Sequence, residues 1–281
     1  MKKLKKIIPY SRQSINRSDI AEVVKVLKSD FLTQGIQVPK FEENLKNYCH
    51  SKFAVAVNSA TSALHISCMS LGLKKGDILW TSPISFVASA NAALYCGADI
   101  DFVDIDYETN NISIAALEDK LELAKKNNCL PKIIIPVHMC GLSCDMKSIY
   151  KLSKKFNFMI IEDASHAIGG EYNGYKVGSC KYSDITVFSF HPVKIITSGE
   201  GGAALTNNKN ISKKLNILRS HGIVKDPKYL KKSKLSSYYE QVDLGYNYRM
   251  SDIHAALGNS QLGRLRKFVL ERNKIARIYD S

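Results

Sequence analysis

Short apolar runs alternate with helical patterns along most of this 281-residue chain, and that alternation leaves few folds open. Runs rich in Val, Ile, Ala and Phe fall at 53–57, 78–81, 100–103, 132–137, 158–161, 185–188 and 203–206. Helical spacing of apolar residues fills most of the gaps, over 62–73, 85–95, 115–126 and 146–156. Strands that follow one another through helices are parallel, and a parallel sheet needs helices on both faces. The expectation is an α/β fold: a seven-stranded, mainly parallel sheet between helices.

The flanks are less regular. Residues 1–17 read as an extended arm with Pro9 and Tyr10 near its middle. Ser18 is expected to cap a helix whose apolar positions are Ile20, Val23, Val24 and Leu27. Residues 31–35 break it, and 41–48 form another short helix. After the last β run come a helix over 211–218 and a polar, lysine-rich loop over 224–239. A long helix capped by Ser251 then runs towards the end. The expected division is therefore an arm (1–17), a large domain (18–250) and the start of a long helix (251–281).

Composition narrows the function classes. The net charge is +14, but the excess is scattered, with short clusters only at 2–6 and 228–234. Without a basic helix interleaved with aromatics, it reads as solvated surface, and no nucleic-acid partner is expected. Seven cysteines without a C-x-x-C pair suit reduced thiols. His138, Cys140 and Cys144 imitate a metal cluster, yet no second ligand pair follows, so no metal is expected. No apolar run approaches a membrane span, and the basic start lacks the apolar core of a signal peptide. A cytoplasmic protein is expected, with no membrane partner.

Open α/β sheets bind ligands outside the carboxyl ends of their strands, so the strand exits carry the functional signal. The run at 53–57 leads into Asn58-Ser59-Ala60-Thr61-Ser62-Ala63 at a helix start. Free N–H groups and the positive dipole end make such a place an anion cradle, although an ordinary Ser/Thr cap looks the same. The run at 78–81 leads to Phe86, an aromatic face open to a flat ligand or to the core. The run at 158–161 leads into Glu162-Asp163-Ala164-Ser165-His166, where two carboxylates end an apolar strand and at least one needs a cation.

The run at 185–188 leads into Ser189-Phe190-His191-Pro192-Val193-Lys194, then Gly199-Glu200-Gly201-Gly202. Pro192 prevents a helix from running through. Among forty Lys and Arg, Lys194 stands apart, its nearest charged neighbours in sequence being His191 (when protonated) and Glu200. A lysine in an apolar pocket has a lowered pKa and becomes a usable nucleophile. Taken alone, the stretch favours a loop lysine with its stem on apolar surface. The four exits together reverse that preference, because they supply what pyridoxal phosphate requires: an anion cradle, a flat aromatic, a buried acid and a lysine.

At that point the sequence resembles the DegT/DnrJ/EryC1/StrS sugar aminotransferases. The likeness rests on residues 58–64, 162–167, 188–194, 199–202, Arg219-Ser220-His221-Gly222, and Gly245-Tyr246-Asn247-Tyr248-Arg249-Met250-Ser251-Asp252, in family order. It implies the large domain of a fold-type I pyridoxal-phosphate transferase, working as a homodimer with shared active sites. By position, Lys194 matches the lysine that bonds the cofactor, and Asp163 the partner of its pyridine nitrogen. Phe86 matches the aromatic stacked on the ring, and His166 a group near its phenolic oxygen. Ala60, Thr61, Ser62 and Ser189 match the phosphate site, and Asn247 a phosphate contact from the other subunit. Sugar-nucleotide contacts would fall at Tyr10 and at Asp30, Phe31, Leu32 and Thr33.

Within the family, residues 58–64, 83–89 and 91–103 and the Ser165-His166 pair look most like the pseudaminic-acid-pathway branch. That branch aminates a UDP-4-keto-6-deoxy-N-acetylhexosamine, with glutamate the expected donor. The branch that forms UDP-4-amino-arabinose shares Phe-Ser-Phe-His and is the runner-up. The family's sugar dehydratases carry histidine in place of Lys194. The resemblance also implies a further small domain that completes the sugar site and is absent here. A fragment is therefore expected, or a truncated product, and a non-catalytic paralogue is the reading from another class.

Overall fold

The computed structural model describes residues 9, 11–224 and 239–281. Tyr10 and most of the lysine-rich stretch lie outside the described residues. The chain begins with helices α1 (Arg17–Leu27) and α2 (Gln37–Cys49), then β1 (Phe53–Val57), α3 (Ala60–Ser70), β2 (Ile78–Thr81), α4 (Ala88–Tyr95) and β3 (Asp99–Phe102). It continues through α5 (Ile114–Lys126), β4 (Ile133–Ile135), α6 (Met146–Phe156) and β5 (Met159–Asp163). A short hairpin follows, β6 (Glu171–Tyr172) and β7 (Tyr175–Lys176), before β8 (Ile185–Ser189), β9 (Gly202–Thr206) and α7 (Lys209–Arg219). Last come the two-residue strands β10 (Ile223–Val224) and β11 (Glu240–Gln241), then α8 (Asp252–Leu262) and α9 (Leu265–Tyr279).

The main sheet has seven strands in the order β1-β9-β8-β5-β4-β2-β3. β9 pairs antiparallel with both neighbours, and the remaining pairings are parallel. All seven expected runs are strands of this sheet. Alternate residues of each strand serve opposite helical layers, as the pleat requires. Val55, Val57, Ile133, Ile135, Ile161 and Val187 pack with α3, α4 and α7. On the other face, Ile134 and Ile160 meet α5 and α6, while Ala56, Phe188 and Leu205 meet α2 and α8. This is the arrangement of fold-type I pyridoxal-phosphate transferases.

Two expectations at the flanks need correction. Asn16, not Ser18, caps α1: its side chain accepts the Asp19 N–H and the Asp19 carboxylate accepts the Asn16 N–H at 2.9 Å, a capping box. The same carboxylate is fully buried against α8, taking hydrogen bonds from Ser260 Oγ at 2.6 Å and Gln261 Nε2 at 2.8 Å, with Arg264 beside it. A polar anchor therefore sets the face of α1. Of the apolar residues at helical spacing, Ile20 and Leu27 are turned outwards, 57% and 55% exposed. The expected single C-terminal helix is two. Ser251 caps α8 as anticipated, but the helix stops at Leu262 and α9 restarts after Gly263 and Arg264.

The start of α2 is also satisfied from far away in the chain. Its N-cap, Ile36, has no capping side chain. The buried Asp252 carboxylate takes over, accepting N–H bonds from Gly35, Gln37 and Val38 at 2.5, 2.7 and 3.1 Å. This contact holds residues 30–37 against the start of α8.

Candidate active site

Four strands end around one cavity of about 680 Å³. β1 gives way to the start of α3, which places Ala60 and Thr61 in its wall. The loop after β2 contributes Phe86, the end of β5 contributes Asp163 and His166, and β8 with the following turn contributes Ser189 and Lys194. Seven of the candidate residues thus share one cavity, although the sequence separates them by more than a hundred positions.

Asp163 and Glu162 are adjacent yet face opposite layers, because successive strand residues alternate. Asp163 is 5% exposed on the α3/α4 side; its Oδ2 accepts a hydrogen bond from Ser89 Oγ of α4 at 2.5 Å, and its Oδ1 one from the Ser165 N–H at 3.1 Å. Glu162 turns to the α5/α6 side, where it meets His138 Nε2 at 2.8 Å, Thr186 Oγ1 at 3.0 Å and Ser183. Burial alone would raise the Glu162 carboxyl, but these donors, His138 foremost, hold it below the usual range. So Glu162 is the structural acid with the expected cation partner, and Asp163 is the acid offered to the cavity.

Lys194 lies half-buried in the turn after Pro192, its N–H bonded to the His191 carbonyl at 2.9 Å. Burial pushes its ammonium below the ordinary lysine range, with the Asp163 carboxylate opposing. Burial likewise lowers the His166 imidazole, the Lys194 charge lowers it further, and Asp163 works the other way. Both shifts favour neutral forms: an amine able to attack, and an imidazole able to accept or share a proton.

The residues fit a phosphorylated aromatic aldehyde. Ser59 caps α3 by accepting the Ser62 N–H at 3.1 Å, and its carbonyl accepts the Ala63 N–H. That leaves the N–H groups of Ala60 and Thr61 as the free donors of a helix start. Gly202, where β9 begins, lies directly against this turn: a Cβ there would stand 2.5 Å from Ala60 N and from Ser59 C. Only glycine permits that approach.

Not every candidate joins the cavity. Ser62 is buried behind it, with its hydroxyl donating to Asn58 Oδ1 at 2.7 Å. Asn247 is exposed and does not line the cavity of its own chain, although the Tyr248 carbonyl beside it accepts the Asn58 N–H at 2.9 Å. Asp30, Phe31, Leu32 and Thr33 are exposed and lie by α8, the Leu32 carbonyl accepting the Asp252 N–H at 3.0 Å. Tyr10 lies outside the described residues. Sequence reasoning missed Ser89, which carries no motif of its own, and the role of His138, which it weighed only as part of a metal-like cluster. Their signal is the pair of consecutive carboxylates, Glu162 and Asp163, each of which needs donors on its own side of the sheet. Among the described residues no cluster suited to a metal ion is present, and no helix is long and apolar enough to cross a membrane.

With this geometry in place, comparison with known proteins decides the family. The profile of the DegT/DnrJ/EryC1/StrS aminotransferase family matches residues 13–281. The chain belongs to that family. A UDP-4-amino-4,6-dideoxy-N-acetyl-beta-L-altrosamine transaminase of Campylobacter jejuni is 46% identical over 274 residues, 98% of this chain and 69% of that protein. Among solved structures, Helicobacter pylori PseC, an aminotransferase involved in the biosynthesis of pseudoaminic acid, superposes with a TM-score of 0.88 at 37% identity. That match covers 98% of this chain and 70% of PseC. The aminotransferase Spr1654 of Streptococcus pneumoniae, in its PLP form, gives a TM-score of 0.84 at 30% identity, over 97% of this chain and 70% of that one.

Proposed function

We propose that this family member is a pyridoxal-phosphate-dependent aminotransferase that converts a nucleotide-linked 4-keto-6-deoxy sugar to its 4-amino form. A UDP-4-keto-6-deoxy-N-acetylhexosamine is the substrate and glutamate the donor. The observation that carries this is the meeting of Lys194, Asp163, Phe86 and the α3 start in one cavity. Bound pyridoxal phosphate supplies an electron sink for breaking the bond to the donor's α-hydrogen. The start of α3, with Thr61 and Ser189, holds the phosphate, and Phe86 covers the ring face. Asp163, fixed by Ser89 and Ser165, provides the negative charge that keeps the pyridine nitrogen protonated. Lys194 would anchor the cofactor, and its amine, whose affinity for a proton burial lowers, would carry the proton in the transfer. His166 lies beside both and orients the phenolic oxygen.

A homodimer fits the placement of Asn247. In its own chain this residue stands outside the cavity, so its proposed phosphate contact is made in the partner's site. The outward-turned apolar residues Ile20, Val24, Leu27 and Phe31 offer surface for a second subunit. Asp30–Thr33, on the same surface, would then join Tyr10 at the sugar nucleotide. A cytoplasmic setting, where nucleotide sugars are made, suits this reading. The domain division follows it as well: an arm to residue 17, a cofactor domain to 250, then helices leading onward.

The experiment is an amination assay on mixed chains. The cofactor-loaded protein, given glutamate and the UDP-4-keto sugar, is expected to yield 2-oxoglutarate and the 4-amino sugar. A Lys194→Ala chain, inactive alone, and an Asn247→Ala chain, weak alone, are expected to recover activity on mixing, because one site of a mixed dimer is then intact. No product, or a preference for a UDP-4-keto-pentose, would overturn the substrate assignment. Failure of complementation would overturn the shared site.

A further inference from the structure

His65 lies in the second turn of α3, behind the phosphate cradle that opens the helix, and no step of the proposed reaction uses it. The imidazole is 4% exposed, yet only half served. Its Nδ1 meets the Tyr248 hydroxyl at 3.2 Å, while its Nε2 is buried without a hydrogen-bond partner. Tyr246, Tyr95 and Tyr248 enclose it at centroid distances of 4.8, 5.4 and 5.9 Å. An unpaired buried nitrogen costs stability, and an apolar side chain would pack there without that cost. What the imidazole adds over such a side chain is the bond to Tyr248.

Tyr246 and Tyr248 bracket Asn247 in a segment that runs extended beside β1. The Tyr246 N–H donates to the Leu218 carbonyl at 2.7 Å and the Tyr248 N–H to the Arg219 carbonyl at 3.0 Å, while the Tyr248 carbonyl accepts the Asn58 N–H at 2.9 Å. Alternate side chains of an extended segment share a face. The two tyrosines therefore both turn towards α3, where their rings stack at 4.9 Å and 15°. Asn247, between them, turns the other way and is exposed. Among the described residues, the His65–Tyr248 contact is the one side-chain hydrogen bond that joins α3 to residues 246–249.

We propose that His65 and Tyr248 are positioning residues for the cofactor phosphate, acting through Asn247. Their bond fixes the face that residues 246–249 present, and so aims the Asn247 amide at the second subunit's site. The inference rests on the reading of Asn247 as a phosphate contact made in the partner's site. Backbone bonds along β1 set the register of the segment but allow it to twist, and a hydrogen bond weakens steeply as its angle falls. A side-chain tie on the opposite face removes that freedom. It also links the two sites of a dimer: the helix that carries His65 opens with the Ala60 and Thr61 N–H groups of one site, and the segment it steadies serves the other.

The test is an absorbance titration with pyridoxal phosphate and with pyridoxal, which lacks the phosphate. Tyr248→Phe and His65→Leu are expected to weaken pyridoxal phosphate about three- to tenfold, the effect of one hydrogen bond, and to leave pyridoxal unchanged. His65→Asn, close to leucine in size but with an amide for the Tyr248 hydroxyl, is expected to restore most of the loss. In an Asn247→Ala chain, Tyr248→Phe is expected to cost nothing further, because the contact it acts through is already gone. Equal weakening of both ligands, or a loss that adds to that of Asn247→Ala, would overturn the proposal. Should His65→Leu not fold, Tyr248→Phe, which removes a single oxygen, carries the test. Asn247→Ala by itself separates the inference from the reading beneath it. A phosphate-selective loss there with none in Tyr248→Phe overturns the inference alone, and no loss there overturns both.

Discussion

Replacing Lys194 with alanine is expected to abolish transamination while leaving the fold intact. The side chain has two tasks in the proposed reaction, covalent anchor and proton carrier. Losing the second alone removes about 10²–10⁴-fold, and losing the first removes the route to the cofactor's electron sink. The fold should not notice. Lys194 sits in a turn whose N–H bond to the His191 carbonyl is backbone and survives the change. Its ammonium is half-buried and displaced from its ordinary range, so removing it relieves a desolvation cost. Thermal unfolding near that of the parent, together with loss of 2-oxoglutarate formation, is the expected pair of results. Residual turnover within tenfold of the parent would assign the chemistry to another lysine.

Asp163→Asn is expected to slow the reaction by two to three orders of magnitude and to weaken cofactor retention. The substitution keeps the size: its amide oxygen can still accept the Ser165 N–H, and the Ser89 hydroxyl can turn to accept from its NH2, so it removes charge rather than packing. Breaking a buried charge pair on one side costs about 3–5 kcal/mol, which converts to roughly 10²–10³·⁵ in an equilibrium or rate constant. Glu162 cannot stand in. It faces the opposite layer, 2.8 Å from His138, and the sheet would have to shift register for it to enter the cavity. Near-parental activity in Asp163→Asn would mean that the pyridine nitrogen is not paired here.

The seven strands, and the cavity that four of them end around, were legible in the sequence because two strong patterns coincide: alternating β and helical periodicity, and chemistry placed at strand exits. Boundaries moved by a few residues, as at β4, whose paired part is Ile133–Ile135 within a longer apolar run. The orientation of α1 was not legible. Its apolar spacing promised an inward face, but buried Asp19 bonds to Ser260 and Gln261, residues over two hundred positions away. Likewise, nothing local announced that Asp252 would cap α2. The roles of Ser89 and His138 depend on which face of β5 each carboxylate takes, a matter of register that composition does not record. Asn247 lay in a recognisable motif, yet where its side chain acts depends on a second chain.

The central claim is that Lys194 in this cavity is the cofactor's covalent partner, and borohydride mapping tests it most directly. The purified chain is loaded with pyridoxal phosphate, reduced with borohydride and digested, and the tagged peptide is sequenced. The account expects one phosphopyridoxyl group per chain, carried by Lys194, with its absorbance lost when glutamate is added before reduction. A tag spread over surface lysines, or fixed on a single lysine other than Lys194, would contradict it.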